Sequence, residues 1–537
     1  MTTAATVVLA AAAAAALCGR LHVLLHVLQQ EHYENARLRV WLRRDPSRLE
    51  WPASLLLAAG GVGAAALTLA AGWPGVALAG AGLLYTTARS VTIWRRDQIK
   101  PLVFTPRARR LFAVASIGPS ALVVALVVLL PDRAASLMAG AAVGVEHALA
   151  PALLVAANAL LRPLQRRETA RFVRNARARL DEVAPLVVGI TGSYGKTTTK
   201  VAVAAVVAAK GPAYPTPASF NSYLGVVRAI NEGLRHDHQS FVVEMGAYRE
   251  GDIAELCELV HPTIGVLTAI GPAHLERFGS LDVTERAKGE LAAAIPPAGV
   301  FITRADDERC RRVAETRAVG QVRLFSPAPH PDALVWAEGI EIVSGKTQFT
   351  LRSRGLGDDA ESTVRARLLG THNVANLVAA AAVGLSVGLT ASQVARALGR
   401  VEPPAHRLAP IVNAAAGIVV IDDSYNANPT GAAAALEVLR DHPAERRILI
   451  TPGMVELGTE AERANRAFGR LAAEVCDLCL LSGPHAADVR DGLLEGGLGE
   501  DRIVVLADGP AAHRKLAELT RRGDVILFEN DLPDVYA

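Results

Sequence analysis

Five apolar segments fill most of the first 162 residues of this 537-residue chain. At a helical rise of about 1.5 Å per residue, each is long enough to cross a hydrocarbon core of about 30 Å. The first segment contains Arg20 and continues into a basic amphipathic stretch without a convincing cleavage site, so we interpret it as an anchor rather than a signal peptide. The sequence therefore predicts five transmembrane helices, near residues 4–27, 53–72, 76–94, 111–131 and 134–161.

Arginine-rich linkers predict which side of the membrane the rest of the chain occupies. Basic residues follow the first, third and fifth segments, in residues 37–48, 95–110 and 162–174, whereas the other two linkers are short and nearly uncharged. By the positive-inside rule, the three basic linkers and everything after residue 162 are cytoplasmic. Four spans and one interfacial helix are the alternative, and they give the same placement if the first segment is the interfacial one.

The composition fits a membrane region joined to a soluble one. Hydrophobic residues make up 51% and charged residues 20% of the chain, and the apolar excess lies before residue 162. The later part is long enough for two ordinary domains. Five scattered cysteines argue against a secreted disulfide framework. We expect no nucleic-acid partner, because the basic and aromatic pattern of such proteins is missing from the sequence.

The stretch VVGITGSYGKTTTK predicts a strand, a glycine loop and a helix. Gly192 and Gly195 let backbone amides approach phosphate oxygens, Lys196 can reach the terminal phosphates, and Thr197 can ligate magnesium at the positive end of the helix. The full Walker spacing would place a glycine where Ile190 stands. A structural turn before a helix is the simpler alternative for this motif alone.

Further motifs follow the glycine loop in order. Glu244 ends a second apolar strand in EMGA, His274 follows a third in IGPAHLERFGS, and Lys288 lies on a helix in AKGE; GTHNVAN and DDSYNANP come later. With these motifs the segment from about 185 to 537 resembles the Mur ligase family, and most closely its D-alanyl-D-alanine-adding branch. The resemblance implies an ADP-forming, ATP-dependent amide ligase of peptidoglycan precursor synthesis that works through an acyl phosphate.

The resemblance also implies roles for individual residues. It implies ATP and Mg²⁺ as cofactors, with Thr197, Glu244 and His274 among the metal ligands and Lys288 carrying a carbamate. A carbamate would turn a repelling ammonium into an anionic oxygen donor suited to magnesium. Taken singly, Glu244, His274 and Lys288 could equally be a solvated strand end, a loop cap and a surface lysine. The implied phosphate and nucleotide contacts are Gly192, Ser193, Tyr194, Gly195, Lys196, Thr197, Thr198, His372, Asn373, Arg407 and Asp423.

Lys196, Lys288, His274 and Arg407 are the implied catalytic residues, and Asn221, Tyr425, Asn426 and Asn428 the implied substrate contacts. An N-cap at Thr371 or Asn373 is the simpler explanation for the His372 motif. Pro403 and Pro404 precede Arg407 as a hinge between domains would require.

The predicted fold is an α-helical membrane region, then an α/β P-loop central domain of the Mur ligase type and a Rossmann-like C-terminal domain. We place these at residues 1–165, 166–405 and 406–537. Antiparallel strands are expected between the two α/β domains, in residues 335–369. The implied location is the bacterial inner membrane, crossed several times, with the catalytic domains in the cytoplasm.

Departures from the family concern the substrates. SFNSYLG stands for the family's NFNNEIG, Arg304 for an asparagine, and Glu529-Asn530-Asp531 for Lys-Gly-Ser. The membrane segments replace the UDP-sugar-binding domain. The acceptor, a soluble or lipid-linked peptidoglycan precursor, and the added amino acid or dipeptide therefore stay open. An ATP-driven transporter and a non-catalytic membrane scaffold remain alternative functions.

Overall fold

The computed structural model describes residues 2–31, 33–44, 51–71, 102–272, 275–343, 346–356, 360–424, 427–455 and 457–530. The predicted span at 76–94, and the site residues His274, Tyr425 and Asn426, lie outside these ranges. The chain divides into two compact units, residues 1–171 and 172–537, which we describe separately.

Within the described residues, the first unit is helical wherever it has regular structure. Helices occur where the apolar segments at 4–27, 53–72, 111–131 and 134–161 were predicted. Among the described residues, three stretches are long and apolar enough to cross a membrane, Thr6–Gln30, Pro106–Leu126 and Arg133–Leu160, and Ala53–Leu67 is a shorter apolar helix. The helices are α1 Thr2–Gln30, α2 Asn35–Arg44, α3 Trp51–Ala71, α4 Pro106–Leu129, α5 Asp132–Leu160 and α6 Arg162–Val183, the last of which continues into the second unit.

Side-chain contacts give the directions of these helices. Along α1, Thr6 bonds Ser136 of α5 at 2.8 Å, and Leu24 packs in one cluster with Leu154, so α1 and α5 run parallel. Helix α3 runs the other way, because Ser54 near its start bonds His147 at 3.0 Å whereas Gly61 contacts Gly140. Helices α1 and α5 therefore run opposite to α3.

The second unit contains all fifteen strands of the described chain and the remaining helices. The strands are β1 Leu186–Thr191, β2 Ala213–Pro215, β3 Ser240–Glu244, β4 Ile264–Leu267, β5 Val300–Arg304, β6 Gln321–Ser326, β7 Val335–Val343, β8 Lys346–Ser353, β9 Ala360–Ala366, β10 Ala409–Asn413, β11 Ile418–Asp423, β12 Arg446–Thr451, β13 Leu478–Leu481, β14 Ile503–Val505 and β15 Asp524–Glu529.

The α-helices of this unit are α7 Lys196–Val207, α8 Tyr223–Gly233, α9 Asp252–Val260, α10 Leu275–Phe278, α11 Leu281–Ala294, α12 Glu308–Arg317, α13 Thr371–Ser386, α14 Ala391–Leu398, α15 Pro429–Asp441, α16 Ala461–Ala473, α17 Ala486–Glu495 and α18 Gly509–Leu519; 3-10 turns occur at Gly458–Glu460 and Glu500–Arg502.

A nine-stranded sheet forms the first α/β layer, in the order β2-β3-β1-β4-β5-β6-β7-β8-β9. Its strands are parallel from β2 to β7, and β7, β8 and β9 are antiparallel to one another, as the sequence predicted. Apolar helix faces cover the sheet, and the alanine-rich α13 lies in the same core as α7. Because β1, β3 and β4 are neighbours, the loops that follow them meet at one edge of the sheet.

A second sheet of six strands has the order β10-β11-β15-β12-β13-β14 and is parallel except for β10. The strands predicted in RILITPG, LCLLSG, RIVVLAD and DVILFEN are confirmed as β12, β13, β14 and β15. The segment between the two sheets holds His406 at φ 61° and Leu408 at φ 47°, which are uncommon for residues other than glycine. His406 and Leu408 are the residues on either side of Arg407, so this backbone conformation sets where Arg407 begins.

Candidate active site

The loop after β1 wraps tightly round the start of α7. Gly192 has φ 148° and Gly195 φ 75°, and a Cβ on either would lie about 2 Å from Thr268 Oγ1 or Asn376 Oδ1. The Ser193 amide donates to Ala269 O at 2.8 Å, and its hydroxyl bonds the backbone of Gly271. The loop is thus bound to the segment that follows β4. It leaves the N-terminus of α7, with Thr197 and Thr198 in its first turn, as an anion site.

Lys196 is held over this loop. Its ammonium donates to Gly192 O at 2.7 Å. Burial lowers the pKa of Lys196 to about 8, Glu244 opposes that change, and Arg407 adds to it. The charges of Glu244 and Arg407, which lie far from Lys196 in the sequence, therefore act on Lys196 in the folded chain.

Glu244, at the end of β3, is buried against a lysine that sequence analysis missed. Its Oε2 lies 3.1 Å from Lys200 Nζ, and its Oε1 accepts a hydrogen bond from Asn221 Nδ2 at 3.0 Å. Burial alone would raise the pKa of Glu244, but the charges of Lys200 and Lys196 and the Asn221 hydrogen bond lower it below its usual value. Asn221, predicted to contact substrate, here orients the carboxylate.

Lys288 is buried within α11. Its ammonium lies 5.6 Å from the centre of the Phe278 ring, and the side chain is 3% exposed. Burial, and then the charge of Lys196, lower the pKa of Lys288 well below its usual value, which favours the neutral amine. A neutral amine is the form that can add carbon dioxide, so the site suits the carbamate that the resemblance implies.

A hydrogen-bonded relay joins α7 to α13. Thr199 donates to Asn376 Oδ1 at 3.1 Å, Asn376 donates to Asn373 Oδ1 at 2.9 Å, and Asn373 donates to Leu369 O at 2.7 Å. Asn373 is thus a structural link, and Gly370, not a side chain, caps α13. Burial lowers the pKa of the neighbouring His372 to about 4, so this histidine is neutral at physiological pH.

Arg407 lies beside two acidic groups of the second sheet. Asp423 ends β11, and its Oδ1 accepts a hydrogen bond from Leu408 N at 3.1 Å. Asp423 lies in register with Glu529, which ends β15. Burial raises the pKa of Asp423 to about 6, and Arg407 partly opposes this. The charge of Arg407 therefore acts on both the glycine loop of the first sheet and the acidic pair of the second.

The remaining predicted site residues have other positions. Asn428 caps α15, since its Oδ1 accepts a hydrogen bond from Gly431 N at 2.9 Å. The Tyr194 ring lies against Gly271, where a Cβ would come within 2.5 Å of it. No group of three or more His, Cys, Asp or Glu side chains within the described ranges could hold a metal. The predicted magnesium site therefore still depends on His274, which lies outside them, and on a modified Lys288.

Sequence reasoning missed Lys200, Thr268 and Asn376. A signal for Lys200 existed, because it is the only charged residue after Lys196 in the helix KTTTKVAVAAVV and lies one turn after Lys196. Thr268 and Asn376 carry no such signal. Their side chains fill the space left by the two loop glycines, and Asn376 also bonds Thr199 and Asn373.

The fold and the loop define a P-loop nucleotide-binding α/β protein. Two family models match the chain: the Mur ligase middle domain over residues 190–384, and the Mur ligase, glutamate ligase domain over residues 406–529. A UDP-N-acetylmuramoyl-tripeptide--D-alanyl-D-alanine ligase of Mycobacterium tuberculosis is 36% identical over 363 residues, which are 64% of this chain and 70% of that protein. The corresponding Escherichia coli protein is 35% identical over 292 residues, covering 54% and 63%.

A solved structure agrees. MurF from Acinetobacter baumannii matches with a TM-score of 0.59 and 28% identity, over 67% of this chain and 77% of that one. The chain therefore belongs to the Mur ligase family, as the ordered motifs predicted.

Proposed function

We propose that the chain is an ATP-dependent, ADP-forming amide ligase of peptidoglycan precursor synthesis, of the type that adds D-alanyl-D-alanine to UDP-N-acetylmuramoyl-tripeptide. The observation that carries this proposal is the clustering of Lys196, Glu244, Lys288 and Arg407 in a chain whose relatives bear that name. An ATP-driven transporter would not account for this cluster of ligase residues.

The main chemical task of the site is to stabilise the negative charge that develops during phosphoryl transfer. The acceptor carboxylate attacks the γ-phosphorus of ATP, the bond to the β,γ-bridging oxygen breaks, and an acyl phosphate and ADP result. The amine then attacks the acyl carbon and phosphate leaves. The loop amides, Lys196 and Arg407 would hold the negative charge that spreads over the phosphoryl oxygens, which is the main catalytic need in such a transfer.

Magnesium fits the donors that are present. Glu244 Oε2 is buried and accepts no hydrogen bond, although it forms an ion pair with Lys200. Glu244, Thr197, His274 and a carbamate on Lys288 would hold Mg²⁺, which would neutralise phosphate charge. The carbamate forms when the Lys288 amine adds carbon dioxide and releases one proton. Lys200 would remain as the counter-charge that keeps Glu244 ionised.

We further propose that the first unit is a membrane anchor. Its outer surface exposes large apolar side chains, including Leu56, Leu122 and Val128, whereas it buries polar groups such as Ser136 and Asn158. This distribution is the reverse of that in a water-soluble helical bundle and suits a lipid surround. The bacterial inner membrane, with the ligase in the cytoplasm, is the location that follows from the arginine-rich linkers.

One assay tests the ligase proposal. Membranes containing the full chain are supplied with ATP, Mg²⁺, the UDP-linked tripeptide and D-alanyl-D-alanine, and ADP and the amide product are measured by mass spectrometry. ADP release and a pentapeptide product that both depend on the acceptor are expected. ADP release without amide product, or no turnover while Lys196→Ala behaves identically, would contradict the proposal.

The same assay tests whether the enzyme uses a soluble, UDP-linked acceptor or a lipid-linked one. A protein that begins at Arg162 is compared with the full chain on UDP-linked and on lipid-linked acceptor. Equal turnover of the soluble acceptor by both proteins means that the helices only localise the enzyme. Turnover of lipid-linked acceptor alone, and only by the full chain, would instead show that the first unit presents the substrate.

A further inference from the structure

Three arginine-rich segments of the first unit meet at one of its ends. Gln29, near the end of α1, donates to Val103 O at 2.8 Å and accepts from Val103 N at 3.0 Å, just before α4. Asn158, near the end of α5, donates to Tyr33 O at 2.9 Å and to Asn35 Oδ1 at 2.7 Å, at the start of α2. The arginines of α2, of the beginning of α4 and of the beginning of α6 therefore lie at the same end of the unit.

Arg107, in the first turn of α4, lacks a carboxylate partner among the described residues. Its guanidinium carbon lies 4.0 Å from the centre of the Tyr33 ring, and its Nε is buried and donates no hydrogen bond within the described chain. The neighbouring Arg110 is already paired, since it donates to both carboxylate oxygens of Glu168 at 2.5 and 2.6 Å. A buried donor without an acceptor is costly, so an acceptor from outside the described chain would stabilise Arg107.

The surroundings of Arg107 favour an anion as this acceptor. Leu38 and Leu42 of α2 are buried in one cluster with the beginning of α4, whereas Arg39 and Arg43 of the same helix are exposed. Helix α2 thus packs beside α4 and turns its basic side outward. A guanidinium stacked on an aromatic ring keeps its N–H groups in the ring plane's direction, where they suit the oxygens of a phosphate.

The position of this end of the unit indicates where the phosphate comes from. Further along α4, Ile117 and Leu122 are exposed, and such side chains suit acyl chains rather than water. Tyr33 and Trp41 lie at the same end as Arg107, as aromatic residues do at the level of lipid headgroups. A phospholipid fits both features, because its phosphate would reach Arg107 while its acyl chains follow α4.

We propose that Arg107, stacked on Tyr33, binds the phosphate of an anionic phospholipid. This inference rests on the membrane anchor proposed above for the first unit. The charge of the headgroup follows from α2, because Arg39 and Arg43 would repel the choline group of phosphatidylcholine and attract the net negative charge of phosphatidylglycerol. The first unit is therefore a lipid-selective anchor.

Native mass spectrometry of the full-length protein in detergent, titrated with phosphatidylglycerol or phosphatidylcholine, tests this proposal. Arg107→Gln should raise the Kd for phosphatidylglycerol at least about tenfold, the loss expected for one charge-assisted hydrogen bond. Arg107→Lys keeps the charge without the planar group, so it should stay folded and raise this Kd by a smaller factor. Arg133→Gln is the matched control, because Arg133 is an exposed arginine at the start of α5, at the opposite end of the unit. It should leave the Kd unchanged.

Three results would overturn the inference. Equal Kd values for Arg107→Gln and the unaltered protein would show that Arg107 does not hold the lipid. Equal weakening in Arg107→Gln and Arg133→Gln would show only a general attraction between charges. Displacement of phosphatidylglycerol by inorganic phosphate would indicate a site for free phosphate instead.

Failure of the anchor proposal gives a different result. Release of the protein from membranes by alkaline carbonate would show that the first unit does not span the bilayer, and the inference would fall with it. A protein that stays in the membrane but binds both lipids equally would refute the inference alone.

Discussion

Lys200 Nζ lies 3.1 Å from Glu244 Oε2, and both side chains are at least 97% buried. Each charge depends on the other, because an unpaired ion in this position could not be solvated. The pair also places a carboxylate at the end of β3, next to the glycine loop. This ion pair is the central charged pair of the site. Its contribution can be tested by measuring the stability of variants as well as their activity.

Lys200→Met is expected to destabilise the second unit by about 3–5 kcal/mol, since it removes the charged partner that contacts the buried Glu244 carboxylate. Chemical unfolding of the protein measures this loss. The double variant Lys200→Met/Glu244→Gln should lose less than the sum of the single variants. Arg228→Gln is the control, because it breaks the exposed pair with Glu232 and should cost less than about 1 kcal/mol. Additive single effects would show that the two charges do not interact.

Gly195→Ala should abolish ATP binding. An alanine there would adopt an unfavourable φ of 75° and would also collide with Asn376 Oδ1, which displaces the loop. Gly388→Ala is the matched control, since Gly388 has φ 83° with nothing near its missing Cβ. It should lower stability by about 1 kcal/mol and leave ATP binding unchanged. Calorimetric titration with a non-hydrolysable ATP analogue measures both. Intact binding in Gly195→Ala would show that the loop does not hold phosphate.

The pH dependence of kcat/KM for ATP should report Lys196. Because the pKa of Lys196 is about 8 in the free protein, its ammonium form is lost as pH rises through 8, and kcat/KM should fall there. Lys196→Arg keeps its charge, so whatever activity remains should not show this decline. A profile that stays flat to pH 10 in the unaltered protein would contradict the assignment.

Lys288→Ala should lose ligation and keep its fold. Removing the amine removes the group that would carry the carbamate, whereas truncating a buried lysine stem leaves a cavity that is tolerated at moderate cost. Short-chain carboxylic acids should partly restore activity by supplying the missing oxygen donor. Lys515→Ala, at an exposed position on α18, is the control and should be fully active. Full activity of Lys288→Ala would rule out the carbamate.

His372 should make the protein sensitive to acid. Its pKa is about 4 in the folded protein because of burial, and near 6.5 when unfolded, so the unfolded chain binds more protons between these values. Stability is therefore complete above about pH 6.5 and is lost as pH falls towards 4. The melting temperature of His372→Gln should fall less over this range. Equal slopes for both proteins would show that His372 is not the titrating group.

Ordered motifs made much of this site predictable. TGSYGKTTTK, EMGA and AKGE pointed to the loop, Glu244 and Lys288, and the first two of these motifs follow β1 and β3, which are neighbours and end at the same edge of the sheet. The antiparallel strands β7 to β9 were equally readable from alternating polar and apolar residues. These features depend on local sequence, which one chain displays directly.

Contacts between side chains that are far apart in the sequence could not be predicted in the same way. Lys200 becomes important through Glu244, and Asn376 through Thr199 and Gly195, and each of these contacts exists only after the sheet and α13 have packed together. Glu529 was noticed as a departure from the family, but its pairing with Asp423 follows from the strand order of the second sheet. Local sequence says nothing about that order.

The position of β15 has a consequence for how the molecule is made. It is the last of the strands in the described residues, yet it lies between β11 and β12 in its sheet. During synthesis, the earlier strands of that sheet therefore have two unpaired edges until Asp524–Glu529 has left the ribosome. A stop codon before Asp524 would leave the sheet in two halves, β10-β11 and β12-β13-β14.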